Sequence, residues 1–130
     1  MIRMRDICVS FRSERQEKIF GVSRTQVLFD VSLSITKGSC LGIIGESGSG
    51  KSVTMKAVMG ILPDNAERTA ESILLNEREL KDLSDEECRK IRGKEMTMIF
   101  QDPMTALNPL KKIGSQIEEV IIRQKKCSKN

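Results

Sequence analysis

Eight consecutive residues, Gly45-Glu46-Ser47-Gly48-Ser49-Gly50-Lys51-Ser52, carry the plainest chemistry in the sequence. They match G-x-x-x-x-G-K-[ST], a loop that cradles phosphate. A triphosphate needs many N–H donors close together, so the backbone has to curl around it. Glycines at 45, 48 and 50 permit that curl and the close approach it requires. In such a loop Lys51 reaches the terminal phosphates as a point charge, and the Ser52 hydroxyl takes a place on Mg²⁺. Glu46, Ser47 and Ser49 contribute mainly backbone, so Glu46 is not read as catalytic. The helix that follows adds donors and a favourable dipole. The bland alternative is a Gly/Ser surface turn ahead of a helix.

The motif requires a strand before it and a helix after it. Cys40-Leu41-Gly42-Ile43-Ile44 is a short apolar run of the kind a buried parallel strand shows. Beyond the loop, Val53, Ala57, Val58 and Ile61 fall at helical spacing, and Pro63 stops the pattern. Upstream, residues 2–11 read as a strand in which Ile7, Val9 and Phe11 alternate with Cys8 and Ser10. Arg12 to Gln26 reads as a long hairpin connection. Val27, Phe29, Val31, Leu33 and Ile35 alternate with polar residues, which predicts an antiparallel strand with one wet face and puts Phe29 in the core. Thr36-Lys37-Gly38-Ser39 is a turn.

Downstream, residues 63–71 are polar and irregular, and Ser72 to Asn76 is a short strand. Ser84 and Glu87 form a capping box for a helix that runs through Ile91 and ends at Gly93. Glu95 to Gln101 reads as another strand. Pro103 and Pro109 bracket a loop. Ser115 and Glu118 make a second candidate capping box, for an amphipathic helix on Ile117, Val120 and Ile121 that fades into residues 123–126.

The 130 residues suffice for one small domain, and an aromatic content of 3% makes its core aliphatic. The net charge is +4, but the basic residues are interleaved with acids and lack aromatic partners, so they read as solvated faces with no nucleic-acid partner. Four cysteines without a C-x-x-C, in a chain with no histidine, argue against a zinc site. Cys8 and Cys40 sit in strand patterns and are expected in the core, which suits a reducing, cytosolic compartment. No run of 18 apolar residues is present, and the first residues lack the apolar stretch of a signal peptide.

A second run, Gln101-Asp102-Pro103-Met104-Thr105-Ala106-Leu107-Asn108-Pro109, makes the reading specific. With Gly42 to Ser52, with Lys90 to Glu95 leading into Met98-Ile99-Phe100, and with Ile113 to Ile117, it resembles the ATP-binding subunit of an ABC importer of the oligopeptide, dipeptide and nickel uptake branch. The resemblance runs over essentially the whole chain. It implies an α/β fold of the P-loop NTPase (ABC ATPase) type, in which residues 1–130 hold an N-terminal antiparallel β-subdomain and the first part of the parallel-sheet core. It implies ATP and Mg²⁺ as ligands, with Gln101 near the metal and the γ-phosphate and its loop coupled to the helices of a membrane-spanning permease. Phe11 aligns with an aromatic that stacks on adenine, although core packing explains it as well. A second ATPase subunit and, indirectly, an extracytoplasmic substrate-binding protein are the further partners, at the cytoplasmic face of the membrane.

The departures from the family pattern bear on activity. The family uses a Leu-Ser-Gly-Gly type signature segment, a Walker B strand ending in Asp-Glu and a switch histidine, and the 130 residues hold none of them. Asp64 and Asp102 are lone acids that nothing places beside a γ-phosphate. The expectation is a truncated domain that binds nucleotide without hydrolysing it, with exposed sheet edges and marginal stability. A small-molecule kinase is the remaining P-loop alternative, against which the Gln101 to Pro109 run counts. Ala70 and Glu77 stand where relatives often carry turn glycines, which leaves the local hairpin geometry open.

Overall fold

The computed structural model describes residues 1–13, 23–101 and 107–125. They form two compact units, Met1–Cys88 and Arg89–Asn130. The first unit is an antiparallel sheet with one helix on it. Its strands are β1 (Ile2–Ser13), β2 (Ser23–Ile35), β3 (Ala66–Thr69), β4 (Ser72–Leu75) and β5 (Arg78–Glu79), in the order β2-β1-β4-β5, with β3 also on β1. Helix α1 (Lys51–Met59) packs on β1 and β2.

β1 is the central strand. One edge carries β2; the other carries β3 along Cys8 to Phe11 and β4 along Ile2 to Arg5. Between β3 and β4, the Glu71 N–H donates to the Arg5 carbonyl at 3.0 Å and carries the ladder across the gap. The β1–β2 ladder includes Ser10↔Gln26 to Ser13↔Ser23, so both ends of the expected hairpin connection are strand, and residues 14–22 lie outside the described residues. Met4, Ile7, Val9, Leu28, Ala57, Val58, Ile73, Leu75 and Leu80 form the core of this unit. Each such side chain taken from water contributes about 1.5–3 kcal/mol for the larger aliphatics.

The strict alternation expected of β1 and β2 is broken by bulges. Arg5 and Asp6 of β1 oppose Ser32 of β2 between the pairs Met4↔Leu33 and Ile7↔Val31, and Cys8 opposes Phe29 and Asp30 between Ile7↔Val31 and Val9↔Leu28. The residues with left-handed backbones are Asp6 (φ 51°) and Asp30 (φ 47°), a residue type that tolerates that region. Each is held from the opposite strand. The Asp6 N–H donates to Ser32 Oγ (2.8 Å), which donates to Asp6 Oδ1 (2.9 Å). The Cys8 thiol donates to Asp30 Oδ1 (3.1 Å), and the Asp30 N–H donates to Cys8 Sγ (3.3 Å). As a result Leu28 turns inward while Val27 and Phe29 turn out, Phe29 to 66% exposure. Phe29 is therefore not a core residue; the extra residues on β2 reverse its parity.

Residues 66–69, expected to be irregular, form β3. Its polar sequence hides it, yet its groups are paired. Glu67 forms an ion pair with Arg24 at 2.9 Å. The Arg68 guanidinium donates to the carbonyls of Ala57 (2.6 Å) and Lys81 (3.0 Å), placing a cation at the C-terminal turn of α1. The helix stops at Gly60 (φ 63°), where Gly60 N–H reaches Ala57 O and Ile61 N–H reaches Lys56 O, three residues before Pro63.

The β4–β5 hairpin turns on Asn76 (φ 48°) and Glu77 (φ 70°), two left-handed residues in succession, the pattern of a type I′ turn. Glu79 then braces the hairpin. Its carboxylate accepts from Ser72 Oγ (2.6 Å) and from the N–H groups of Ile73 (2.7 Å), Leu80 (3.1 Å) and Lys81 (3.1 Å). Burial pushes the Glu79 carboxyl up, but the Ser72 hydroxyl and the three backbone donors outweigh it and hold the group below its ordinary value.

The expected parallel strand at Cys40 to Ile44 is not formed. These residues have no ladder partner and are exposed, Ile44 to 99%. Cys40 is exposed with them, not in the core. A parallel strand needs neighbours brought alongside by crossover connections. Among the described residues no strand lies beside 40–44. Thr36 to Ser39 does form the expected turn, with Gly38 at φ 80° and a Ser39 N–H to Thr36 O bond of 3.3 Å.

Helix α2 (Asp85–Ile91) begins in the first unit and ends in the second, which also holds helix α3 (Ile113–Lys125). The Ser84–Glu87 capping box opens α2: Ser84 N–H and Oγ both donate to Glu87 Oε2, at 3.0 and 2.7 Å. The expected strand from Glu95 to Gln101 reduces to one bridge between Arg92 and Met96, and Ile99 is 97% exposed. It fails for the same reason as 40–44. The Ser115–Glu118 box is not formed either. The helix opens two residues earlier, and Ser115 Oγ donates back to the Lys112 carbonyl (2.8 Å). Gln116 does the bracing instead, accepting from Asn108 N–H (2.9 Å) and donating to the carbonyls of Asn108 (3.1 Å) and Lys111 (3.0 Å).

Candidate functional site

The loop Gly45–Ser49 is exposed and leads through Gly50 into α1. Gly48 (φ 83°) and Gly50 (φ 89°) have left-handed backbones that a side chain would strain. Gly45 is needed for space: a Cβ there would stand 2.7 Å from Ser49 Oγ. The Ser49 N–H closes the turn on the Glu46 carbonyl at 3.2 Å.

Lys51 folds back over this loop. Its ammonium donates to the carbonyls of Gly45 (2.6 Å) and Glu46 (2.7 Å) and to Ser49 Oγ (3.0 Å), so all three donors are engaged by the loop itself. The charge therefore sits in the curl of the backbone. At the helix start, no side chain caps the first turn. The first helical bond runs from Thr54 N–H to Gly50 O (2.8 Å), and Thr54 Oγ1 doubles it (2.9 Å). The N–H groups of Lys51, Ser52 and Val53 have no intrahelical acceptor and point out of the helix end. Beside them Ser52 is exposed. The N–H donors of an uncapped N-terminus and a glycine loop, with the positive charge of Lys51 beside them, fit an anionic phosphate.

The structure thus brings Gly45, Glu46, Ser47, Gly48, Ser49, Gly50, Lys51 and Ser52 together in one cradle. Phe11 lies in the same unit, half-buried on the face of β1 that carries Val9, with Thr25 and Ala66 as its ladder neighbours. Gln101 belongs to the second unit, where it is exposed at a bend. Residues 102–106 of the run that follows it lie outside the described residues. Two contributors to the loop escape motif reading. Thr54 locks the Gly50 carbonyl, and Leu28 packs beneath Gly50, where a Cβ at residue 50 would meet Leu28 Cδ2 at 2.6 Å. Thr54 had the signal of a hydroxyl one turn into the helix; Leu28 had none.

A glycine-rich loop feeding an uncapped helix with a lysine at its start defines a P-loop nucleotide-binding protein. The ABC transporter family model matches residues 28–129, and the chain belongs to that family, with its P-loop NTPase fold. It is 45% identical to the dipeptide transport ATP-binding protein DppD of Lactococcus lactis, over 85% of this chain and 35% of that one. It is 50% identical to DppD of Bacillus subtilis, over 87% of this chain and 37% of that one. Identity to the oligopeptide transport ATP-binding protein OppD of Bacillus subtilis is 42%, over 99% of this chain and 34% of that one. The chain therefore spans about a third of the length of these curated relatives.

Proposed function

We propose that the chain is part of the ATP-binding component of an ABC transporter that energises uptake of peptides, with ATP and Mg²⁺ held at Gly45–Ser52. The observation that carries this is the cradle itself: Lys51 in the curl of the loop and an uncapped first turn of α1 beside it. The names of the relatives support peptides over nickel as the cargo class. Bound Mg²⁺ would neutralise phosphate charge, with the Ser52 hydroxyl on it. The Gln101 loop would contact permease helices at the cytoplasmic membrane face, and a second ATPase subunit would complete the assembly. Among the described residues no helix is long and apolar enough to cross a membrane.

Hydrolysis needs a polarised water as well as charge neutralisation. The 130 residues offer no Asp-Glu strand end and no histidine for that role, so they bind nucleotide without turning it over. The test is calorimetric titration of the purified chain with ATP and Mg²⁺, alongside a phosphate-release assay. Binding lost in Lys51→Ala, with no release from either protein, is the expected result. An absence of binding at millimolar ATP would sink the binding reading, and phosphate release that disappears in the variant would sink the claim of incompleteness.

A further inference from the structure

We propose that Leu28, a residue of β2 that carries none of the motif, is the positioning residue for the phosphate cradle. The proposal rests on the nucleotide-binding reading and adds to it the element that sets where the donors stand. Three observations converge on it. Leu28 is 4% exposed, and its Cδ2 lies so close under Gly50 that a Cβ there would meet it at 2.6 Å. Gly50 is held as well by Thr54, itself 5% exposed, through two bonds to the Gly50 carbonyl at 2.8 and 2.9 Å. Leu28 faces inward only because the β1–β2 ladder is bulged, for unbroken alternation through Val27, Phe29 and Val31 would turn it to solvent.

The consequence is geometric. Gly50 is the hinge between the loop and α1, and Lys51 and Ser52 follow it directly. A loop resting on glycine has no side chain of its own to define its depth, so the surface beneath it defines that depth. Leu28 is that surface, and the β2 backbone holds Leu28 in turn, paired with Val9 and with its carbonyl taken by Gln26 Nε2 at 3.0 Å. Removing the isobutyl group lets Gly50 sink and carries the donors away from the phosphates, where a displacement of 1 Å already weakens a positioned interaction severely.

The experiment compares Leu28→Ala with Leu75→Ala in the full chain. Leu75 is equally buried, but it pairs with Ile2 at the other end of β1, roughly 20 Å along the strand from the Val9↔Leu28 pair. Two readouts are taken: ATP affinity with Mg²⁺ present, and hydrogen exchange of the Thr54 amide without nucleotide. Leu28→Ala is expected to lose roughly tenfold in affinity and to speed Thr54 exchange. Leu75→Ala, matched in folded content by circular dichroism, stays within about twofold on both. Leu28→Met, of similar volume, restores both. If Leu28→Ala does not fold, Leu28→Val takes its place with a smaller effect in the same direction. Equal behaviour of the Leu28 and Leu75 variants on both readouts overturns the proposal. If the unaltered chain binds no ATP, the nucleotide reading falls by itself, and Thr54 exchange still decides whether Leu28 positions the loop.

Discussion

The antiparallel sheet around β1 and the two apolar segments at 40–44 and 95–101 begin from similar material and end differently. Both hold aliphatic residues in strand-like runs, Ile7 and Val9 or Ile73 to Leu75 in the sheet and Leu41, Ile43 and Ile44 in the first segment. In the sheet, β2 and β5 pair with the strand just before them, β3 and β4 reach β1 from beyond β2 and α1, and Met4, Ile7, Val9 and Ile73 are all at 2% exposure or less. In the segments, Ile44 and Ile99 stand at 99% and 97%. The difference lies in who supplies the partner. The antiparallel strands all find a ladder partner among the described residues, whereas a parallel strand waits for strands delivered by crossovers. An apolar run states that burial is required; it does not supply the burying surface. The phosphate cradle stands at the join of these two regimes. Its entry, through 40–44, is unsupported by any ladder, while its exit into α1 rests on the finished sheet through Leu28 and Gly50.

The widest test of that contrast is a truncation inside the sheet. Ile73→Ala empties a fully buried site on β4 and is expected to cost about 2–5 kcal/mol in urea unfolding. A loss below 1 kcal/mol would mean that the sheet is no better packed than the segments, and the comparison would fail. Next in size is Glu79→Ala, which strips the acceptor from Ser72 and from three backbone N–H groups of the hairpin, for about 1–2 kcal/mol. The same carboxylate gives the sheet an acid limit. Its folded value lies below its unfolded one, so its contribution is complete above about pH 4.3 and disappears as pH falls through the lower folded value. In Glu79→Gln that part of the acid dependence should vanish. An identical fall in stability with acid in both proteins would show that Glu79 does not brace the hairpin.

These contrasts also mark what could be read in advance. The cradle was legible to the residue, because Gly45 to Ser52 is a local pattern in which each type has one backbone or charge reason. The Ser84–Glu87 box and strand β4 were legible for the same local reason. Strand β3 was not: Ala-Glu-Arg-Thr has no apolar face, and only the finished sheet shows Glu67 and Arg68 paired. The bulges at Asp6 and Asp30 were invisible because a single aspartate in a strand pattern does not announce a left-handed turn. They reverse the parity of β2, which turns Phe29 out and brings in Leu28, the side chain that touches the site. Phe11 and Gln101 took their roles from family resemblance, and the local physics of their positions adds a half-buried strand residue and an exposed bend.

A smaller effect sharpens the sheet side of the comparison. Glu77 occupies a left-handed position at φ 70° where glycine carries no penalty. Glu77→Gly should therefore raise stability by about 1 kcal/mol, less a few tenths for the added freedom of the unfolded chain. A clear loss would mean that the Glu77 side chain holds the turn. Asn76, also left-handed, is not equivalent, since its side chain accepts from the Met1 amino group at 2.7 Å and its N–H donates to the Met1 carbonyl at 2.8 Å. Its replacement by glycine keeps the backbone bond but releases the Met1 amino group from Oδ1.

The smallest expected effect is the most telling for the other side. Ile44 is an apolar residue one position before the cradle, in a run that reads as a buried strand, and it is 99% exposed. Ile44→Ser should leave the urea midpoint within about 0.5 kcal/mol of the unaltered chain, because no packing is lost. It should also slow aggregation, since an exposed apolar run with unpaired backbone is a template for association. A cost of 1 kcal/mol or more would place Ile44 against a surface, and the entry to the cradle would then be as firmly supported as its exit.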